Sequence, residues 1–600
     1  MAFTLSPSVA VTERDFSGIV SLVATTPAAF VGRFDQGPVN ERVLISSVKQ
    51  LQEIFGEPSV QRYGTDWWTC YNFLQYGNNL TVVRAAGTGS TGATAGFSAD
   101  YGADERFVFR AKEEGAFVNG ALEVQIVTAG MTYAAGTATD AFSFNPNTSS
   151  YAARFGASND ELSIAVIDRK GVYGPSGAVL ELYEGMSQIV NAVDNVGDSL
   201  YYKYVLANSN YIKIDDSITG FQSIMGSSGG QDPTLYGAMG YTTGVDITIS
   251  SADLDGSGNL PAAISDFGKK PFFIFGAPAG NSGGNAPFSV TLQGGAYGNA
   301  VTSANKRVAW TDYFSDTDEV DVSILIAGDA DNALNQHVID LAITRKDCIA
   351  VISQPVGSGF ADTSSLINQS TLSDVTYSTL QTYKTTLSRD TSYAVMDGNW
   401  KYQNDSYNGV TRWVPLNGDI AGLLARTETD YGAWFSPAGY TRGGILNVVK
   451  LAFNPTKAQR DGLYSLGINN VFAFPGQGTL LFGDKTLQSK PSAFDKIQVR
   501  RLFNVLEKSL ATSANFVLFE QNDAFTRQSF VSQVEPVLRD VQNRRGIENY
   551  RIVCDETNNT SAVIDRGEFV ADIYIQPTKS VQFVKLNFVA NNSGSFFTEG

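Results

Sequence analysis

Length, composition and charge narrow the class of protein before any motif is considered. The chain has 600 residues, 43% apolar and 12% aromatic, so disorder is excluded as its main state and about four domains are expected. Its net charge of −17 opposes non-specific binding to nucleic acid, and a charged fraction of only 17% favours large subunit interfaces.

The start of the chain predicts strands and helices in mixed order. A polar, extended stretch covers 1–20, and strands are predicted at 28–34 and 79–87. Between these strands, 47–56 has the spacing of a short amphipathic helix, and 63–76 is an aromatic-rich helix candidate.

A Gly-, Ser-, Thr- and Asn-rich region follows, over 88–300. It contains short runs typical of strands, at 121–130, 161–168, 244–250 and 271–276. This pattern predicts a β-rich region with long loops.

The hydrophobic period changes after about residue 306. A buried strand at 320–328, a helix at 332–346 and a second buried strand at 348–355 predict a βαβ unit with parallel strands. A helix at 374–387 followed by a strand at 392–397 repeats the pattern. The fold class expected is therefore α/β here, within a multidomain α+β and α/β chain.

The last 120 residues predict an α+β domain. Two amphipathic helices are expected, at 494–510 and 526–545, with a kink at Pro536 in the second. Strands are predicted at 550–554, 568–576 and 581–589. The apolar residues expected on the inner faces of the two helices are Val499, Leu502, Phe503, Leu506 and Leu510, and Phe530, Val534, Val537, Leu538 and Val541.

Localisation signals and disulfides are not predicted. The start, "MAFTLSPSVAVTERDF", lacks the basic segment of a secretion signal, and no apolar run reaches the ~18 residues of a membrane helix. Cys70, Cys348 and Cys554 are too widely spaced for a disulfide framework, so we expect buried thiols in a protein made in a reducing cytoplasm.

Motifs for nucleophilic catalysis are weak. The single histidine, His337, lies among apolar positions of the 332–346 helix, and a semi-buried helix residue is the simpler interpretation. The stretch "GNSGG" around Ser282 is similar to the nucleophile loop of trypsin-like proteases, but it has Asn281 in place of Asp and its histidine comes later. A Gly/Ser/Asn turn explains it better.

Motifs for metal or phosphate binding are also weak. "DLDGSGNL" at 253–260 opens like a Ca²⁺ loop but lacks the closing glutamate, which favours a turn. Asp329 and Asp331 follow a buried strand, and capping of the next helix explains Asp331 as well as a metal would. "FPGQGTLLFG" at 474–483 lacks the lysine and the helix of a P-loop. We expect no cofactor, no metal and no enzymatic activity.

Basic residues are concentrated near the C-terminus of this acidic chain. They are interpreted either as solvated helix faces, since acidic residues are interspersed, or as a docking surface for an acidic partner. The cluster comprises Lys496, Arg500, Arg501, Lys508, Arg527, Arg539, Arg544 and Arg545.

The stretch "VQFVKLNFVANNSG" at 581–594 alternates like a half-buried strand, very near the chain end.

Several longer stretches, taken in their order along the chain, resemble one protein family. "VPLNGDIAGLLARTETDYGAWFSPAGYTRGGI" at 414–445, "PSAFDKIQVRRLFNVLEKSL" at 491–510 and "FVLFEQNDAFTRQSFVSQVEPVLRDVQNRRGI" at 516–547 resemble the tail sheath proteins of contractile-tailed bacteriophages. "LSPSVAVTERDFS" at 5–17 resembles the start of that family, with Ser8 where many members have glycine.

The resemblance implies extended arms that cross to neighbouring subunits and add strands to their C-terminal domain, a β-augmentation. The contact is heterologous and does not close, so it builds a helix. Hinges are then expected at about 14–22 and 576–582. The residues assigned to the arm strands are Leu5, Val9, Val11, Val581, Phe583, Val584, Leu586 and Phe588.

The resemblance also implies a domain order. The expected segments are an N-terminal arm at 1–20 that packs with the C-terminal domain, an outward protruding domain from 21–90 and 186–305, an outer β-rich insertion at 91–185, an α/β middle domain at 306–485, and an α+β core domain at 486–600 that ends in a C-terminal arm at 577–600.

The function implied is a structural subunit of a contractile tail sheath in the virion, made in the host cytoplasm. Expected partners are other copies in hexameric rings stacked helically, the tail tube protein, and baseplate and tail terminator proteins, with no nucleic acid or membrane insertion. The candidate tube-facing residues are Lys496, Arg500, Arg501, Arg539, Arg544 and Arg545.

Three alternatives remain open from the sequence. The first is the sheath of a non-phage contractile injection particle similar to an R-type bacteriocin. The second is a β-rich surface adhesin, and the third is a tail-associated hydrolase that uses Asp329, Asp331 or His337.

Overall fold

The computed structural model describes residues 25–58, 64–96, 108–129, 141–215, 288–357 and 366–582. The strands, in chain order, are β1 (Ala28–Gly32), β2 (Arg42–Ile45), β3 (Leu80–Arg84), β4 (Gly92–Gly96), β5 (Val108–Glu114), β6 (Leu122–Thr128), β7 (Glu161–Asp168), β8 (Ala178–Ser187), β9 (Ile212–Asp215), β10 (Phe288–Thr291), β11 (Ile324–Ile326), β12 (Ile349–Ile352), β13 (Ala394–Asp397), β14 (Trp400–Asp405), β15 (Val410–Pro415), β16 (Lys450–Leu451), β17 (Ile468–Asn469), β18 (Val471–Phe474), β19 (Gly478–Leu481), β20 (Ile547–Val553) and β21 (Asp572–Pro577).

The α-helices are α1 (Val48–Phe55), α2 (Gly64–Leu74), α3 (Ser150–Arg154), α4 (Tyr202–Leu206), α5 (Ser303–Phe314), α6 (Asn332–Arg345), α7 (Tyr377–Leu387), α8 (Asn417–Asp430), α9 (Lys457–Ser465), α10 (Ile497–Asn515), α11 (Ala524–Asn543) and α12 (Ser561–Asp565). The chain divides into two compact units. The first contains Met1–Phe30, Trp68–Thr81 and Phe314–Gly600, and the second contains Val31–Trp67 and Val82–Tyr313.

A parallel sheet forms the centre of the first unit. Its strands lie in the order β17, β13, β12, β11 and β1, and every neighbouring pair is parallel. Helix α6 connects β11 to β12, and α7 connects β12 to β13. The repeated βαβ pattern predicted from the sequence is therefore confirmed, and the buried runs such as "IAVI" in β12 are explained by cover on both faces.

Helix α8 approaches α2 and the turn after it very closely within the first unit. A Cβ atom built on Gly418 would lie 2.5 Å from the Thr69 carbonyl oxygen, and one on Gly422 would lie 2.5 Å from the Tyr76 ring. Two glycines four residues apart present one smooth face of a helix. The backbones can approach closely only because both side chains are absent.

We expect Gly418→Ala to lower the free energy of unfolding by about 1–3 kcal/mol, the usual cost of overpacking. The sign of this change in unfolding free energy is informative, because alanine in place of glycine in a helix would otherwise stabilise the chain by up to ~1 kcal/mol. Chemical denaturation would measure the change. The matched control is Gly444→Ala, because no atom lies within 4 Å of a Cβ there. Equal stability of the two variants would contradict the close approach.

The second unit is β-rich in its described residues. Strands β10, β6, β7 and β8 form an antiparallel sheet, and β4, β5 and β9 form another. Their shared core includes Phe109, Val124, Ile164 and Leu206. The strands predicted at 121–130 and 161–168 are confirmed as β6 and β7. Those predicted at 244–250 and 271–276 lie outside the described residues.

A buried charged triad also lies in the second unit. The Asp66 carboxylate accepts hydrogen bonds from Arg33 Nε at 2.8 Å and from Lys306 Nζ at 2.7 Å. All three side chains are almost completely buried. Burial alone would raise the pKa of the Asp66 carboxyl, but the two cations outweigh burial and hold the pKa below its ordinary value.

Three of the candidate catalytic and metal-ligating residues are described, and the first of them, Asp329, is buried just after β11. His337 is half-buried on α6, and Asp331 caps that helix by accepting from Leu334 N at 2.7 Å. The 474–483 stretch is the β18–β19 hairpin. Ser282 and the 253–260 loop lie outside the described residues. Across the described residues, no cluster of three or more His, Cys, Asp or Glu side chains could hold a metal ion.

The apolar length of the helices and the positions of the three cysteines can also be compared with the sequence-based expectations. In the part of the chain that the structure describes, no helix is long and apolar enough to cross a membrane. Cys70, Cys348 and Cys554 are buried free thiols, as expected.

Candidate subunit interface

The carboxyl edge of the parallel sheet, where α/β proteins bind ligands, is filled by polar groups of the chain itself. Ser353 Oγ donates to Asp397 at 2.5 Å and accepts from Asn417 N, while Asn417 Nδ2 donates to Gly328 O at 2.8 Å. Burial raises the pKa of the Asp397 carboxyl to about 7. These hydrogen bonds join the ends of the strands to the start of α8. The polar side chains at this edge of the sheet therefore bond to one another and hold the chain together.

Helices α10 and α11 form the core of the C-terminal segment. The five inward residues predicted on the second helix, which include Val534 and Leu538, are all buried. On α10, Val499, Leu502 and Leu506 are buried, whereas the predicted Phe503 and Leu510 are half-buried. The periodicity of the sequence thus predicted the apolar part of the buried face of α11, which also includes Arg527, whereas α10 buries further residues outside the predicted stripe, among them Ile497 and Val505.

A two-stranded antiparallel ribbon, β20–β21, covers these helices. Its inner residues, among them Ile552, Ile573 and Ile575, pack against the α10–α11 core, while Tyr574 is exposed on the outer face. Among the described residues, β20 and β21 pair only with each other. A ribbon this narrow has an unpaired main-chain edge on each side, which can accept an added strand.

The predicted arm residues fall mostly outside the described chain. Leu5, Val9 and Val11, and Phe583, Val584, Leu586 and Phe588, all lie outside the described residues. Val581 is described, and 80% of its surface is exposed.

The described start of the C-terminal arm, 577–582, is held by hydrogen bonds. Gln582 Nε2 donates to Asp484 Oδ2 at 3.0 Å, and Tyr464 OH donates to Gln582 Oε1 at 2.7 Å. Ser580 Oγ donates to Asp484 Oδ2 at 3.1 Å. Burial raises the pKa of Asp484, but Lys496 and the other donors outweigh burial and keep the carboxyl ionised with a lowered pKa.

The six candidate tube-facing residues divide into two groups. Three are engaged inside the first unit. Lys496 Nζ donates to Asp484 at 2.9 Å, Arg500 stacks on the Tyr393 ring at 4.2 Å, and Arg501 forms an ion pair with Glu428. Arg500 and Arg501 are only 6% and 3% exposed, so each has little surface to offer a partner.

The remaining three, Arg539, Arg544 and Arg545, are exposed near the C-terminal end of α11. Cations there also complement the helix dipole. Arg539 pairs with Glu535, and Arg544 lies over the Trp434 ring at 4.9 Å. Their surface is therefore basic but includes neighbouring carboxylates.

An exposed apolar segment, which sequence reasoning missed, connects α10 to α11. Phe516, Leu518, Phe519 and Phe525 are all well exposed. Phe519 has a positive φ of 70°, which is uncommon for a bulky residue. The apolar run "FVLF" at 516–519, directly after an amphipathic helix, could have indicated this exposed segment. From the sequence, that run contributed only to the family resemblance.

Comparison with known proteins gives consistent matches. A model of the phage tail sheath protein central domain matches residues 304–487, and a model of the phage tail sheath C-terminal domain matches 489–591. The tail sheath proteins of Enterobacteria phage T4 and Vibrio phage KVP40 are 33% and 31% identical to this chain, each over 99% of both chains. A sheath tail protein from Listeria innocua has a TM-score of 0.50 at 10% identity, with 93% of this chain and 96% of that one covered, a likeness of fold alone.

Proposed function

This chain belongs to the phage tail sheath proteins, and we propose that it polymerises through exchanged arm strands into stacked hexameric rings that wind helically around a tail tube. In this proposal the polymer contracts and drives the tube through the host cell envelope. The chain is made in the host cytoplasm and becomes the sheath of the virion tail.

The observation that carries the proposal is the β20–β21 ribbon, whose two strands pair only with each other among the described residues. Ribbons of two strands are marginal alone and gain stability from further strands or from a covering helix. Here the helices cover one face, and no third strand within the described residues pairs at either edge. A strand from each of two neighbouring copies would pair with the main chain at these edges.

The segments that could supply the strands have suitable sequences and length. Residues 584–588 alternate apolar and polar side chains, and 5–13 include Leu5, Val9 and Val11. At ~3.3 Å per residue, 583–600 could span up to ~60 Å when extended. This length suffices to reach a neighbouring subunit, and period-two alternation would set the register.

Contraction needs a polymer that stays connected while its subunits move. We place the flexible parts in the arms and the rigid parts in the packed units, since interfaces between rigid bodies can be bistable. Rings related by a non-closing, head-to-tail contact would form a helix. Baseplate and terminator proteins would then bind at its two ends.

The tail tube is the remaining partner in the proposal. Arg539, Arg544 and Arg545 are the exposed candidates for it, because charge complementarity fixes orientation and register. Lys496, Arg500 and Arg501 are left out of this contact, since their cationic groups already have partners within the chain.

Electron microscopy of the purified full-length chain at increasing concentration tests the proposal. We expect hollow, striated cylinders of uniform width, formed with or without added tube protein. Dispersed particles at every concentration, even with the tube present, would contradict polymerisation. Cylinders of variable width would contradict a specific strand-exchange contact.

A further inference from the structure

The N-terminal end of the described chain is held by a buried ion pair. Thr25 Oγ1 donates to Glu428 Oε2 at 2.6 Å, and its amide nitrogen donates to the other carboxylate oxygen. Arg501 forms an ion pair with Glu428 and also donates to the Thr25 carbonyl oxygen at 3.2 Å. Thr25 and Arg501 are almost completely buried, so the root of the N-terminal arm is fixed between Glu428 of α8 and Arg501 of α10.

The root of the C-terminal arm is fixed on the start of the same helix. Gln498 Nε2 donates to Ser580 Oγ at 3.0 Å, and Lys496 Nζ donates to Gln582 Oε1 at 3.1 Å. Asp484 accepts from Ser580, Gln582 and Lys496 together and so joins them into one network.

Both roots therefore have hydrogen bonds to one short stretch of chain at the start of α10. Lys496 is the N-cap of α10, and Arg501 follows within about 8 Å along the helix axis at 1.5 Å per residue. Gln498 and Arg501 are three residues apart, so they lie on one side of the helix. That part of α10 is buried and cannot move independently of the first unit.

We propose that the first turns of α10 anchor the roots of both arms, Thr25 through Arg501 and the 580–582 segment through Lys496 and Gln498. This inference rests on the proposed function in one respect, that the arms join neighbouring copies. It makes Ser580 and Gln582 part of a fixed anchor, where the family resemblance implies a hinge at 576–582. A common anchor would transmit a rotation of one subunit to both of its joints.

The physical effect of the anchor is pre-organisation. If 578–582 were free, each residue would have to lose its backbone freedom when the arm docks, and polymerisation would weaken. The anchor removes that cost before assembly. We therefore expect Ser580→Ala combined with Gln582→Ala to raise the concentration for half-polymerisation at least ~10-fold while thermal unfolding stays unchanged.

A spin label tests the anchor without requiring polymerisation. The three native cysteines are buried, so Val581→Cys directs a nitroxide to the residue between Ser580 and Gln582. We expect an immobilised spectrum in the dispersed chain and a mobile one after Ser580→Ala and Gln582→Ala are added. Equal mobility in the two backgrounds would overturn the anchor, whether or not the chain polymerises.

Sedimentation of unlabelled chains tests its role in assembly. The matched control is Lys579→Ala, an exposed residue of the same segment, which should polymerise like the native chain. Thr25→Val should act in the same direction as the change at the C-terminal root, because both roots share α10. Native polymerisation by either root variant would overturn the shared role. If the native chain itself does not polymerise, that result would contradict the proposed function only, because the spin-label measurement tests the anchor independently of polymerisation.

Discussion

Removal of residues 583–600 is expected to abolish polymerisation while the chain remains folded and soluble. The truncated chain keeps every described helix and strand, since β21 ends at Pro577, and it keeps Ser580 and Gln582 bonded to Asp484. The deleted segment carries the alternating strand predicted to join a neighbour. Size-exclusion chromatography with light scattering should report a monomer where the full-length chain forms cylinders.

A shorter truncation is the matched control. Removal of 592–600 retains the alternating residues through Phe588 and should leave cylinder formation intact. Cylinders from the longer truncation would show that the C-terminal strand is not the joint. An insoluble product would indicate that 583–589 pairs within its own subunit, because loss of an intrachain strand would expose the core.

Asp66→Ala is expected to lower the free energy of unfolding of the second unit by about 3–5 kcal/mol. The reason is that Arg33 and Lys306 would remain buried without their shared carboxylate, and an unpaired buried charge is costly. Calorimetry should show the corresponding transition at a lower temperature. Glu535→Ala is the control, since its pair with Arg539 is exposed and contributes about 0–0.5 kcal/mol.

Acid sensitivity gives a second measure of this triad. The pKa of Asp66 is lower in the folded chain than its ordinary value, so the stability it contributes is complete above that ordinary value and is lost as the pH falls through the folded pKa. Below about pH 4, the native chain should therefore lose stability more steeply than Asp66→Ala. Parallel pH curves would contradict a lowered pKa for this carboxyl.

Hydrophobic periodicity was sufficient to predict the buried face of a helix or strand where that face packs against elements close in sequence. Val534, Leu538 and Val541 were predicted inward from the 3.6-residue repeat of α11, and all are buried. The strand predicted at 568–576 corresponds to β21, in which Ile573 and Ile575 alternate with exposed residues and face the core. In both cases the pattern itself records which side contacts the core.

Which charged side chains are buried and which are exposed could not be predicted from the sequence. Arg501 and Arg544 both lie on amphipathic helices among acidic residues, and both were assigned to one partner surface. The structure buries Arg501 against Glu428 and exposes Arg544. A cation is stable in the interior only when a distant carboxylate meets it there, and local sequence does not show that carboxylate.

By itself, the sequence determined the order and type of the main elements, the repeated βαβ pattern, the family resemblance and the alternating segment near the C-terminus. These features depend on local periodicity or on the order of short motifs along the chain. Only the tertiary structure decided that Thr25, Gln498, Arg501 and Gln582 converge on the start of α10. Their contacts join residues between 82 and 476 positions apart, and such contacts are selected by packing of the whole unit.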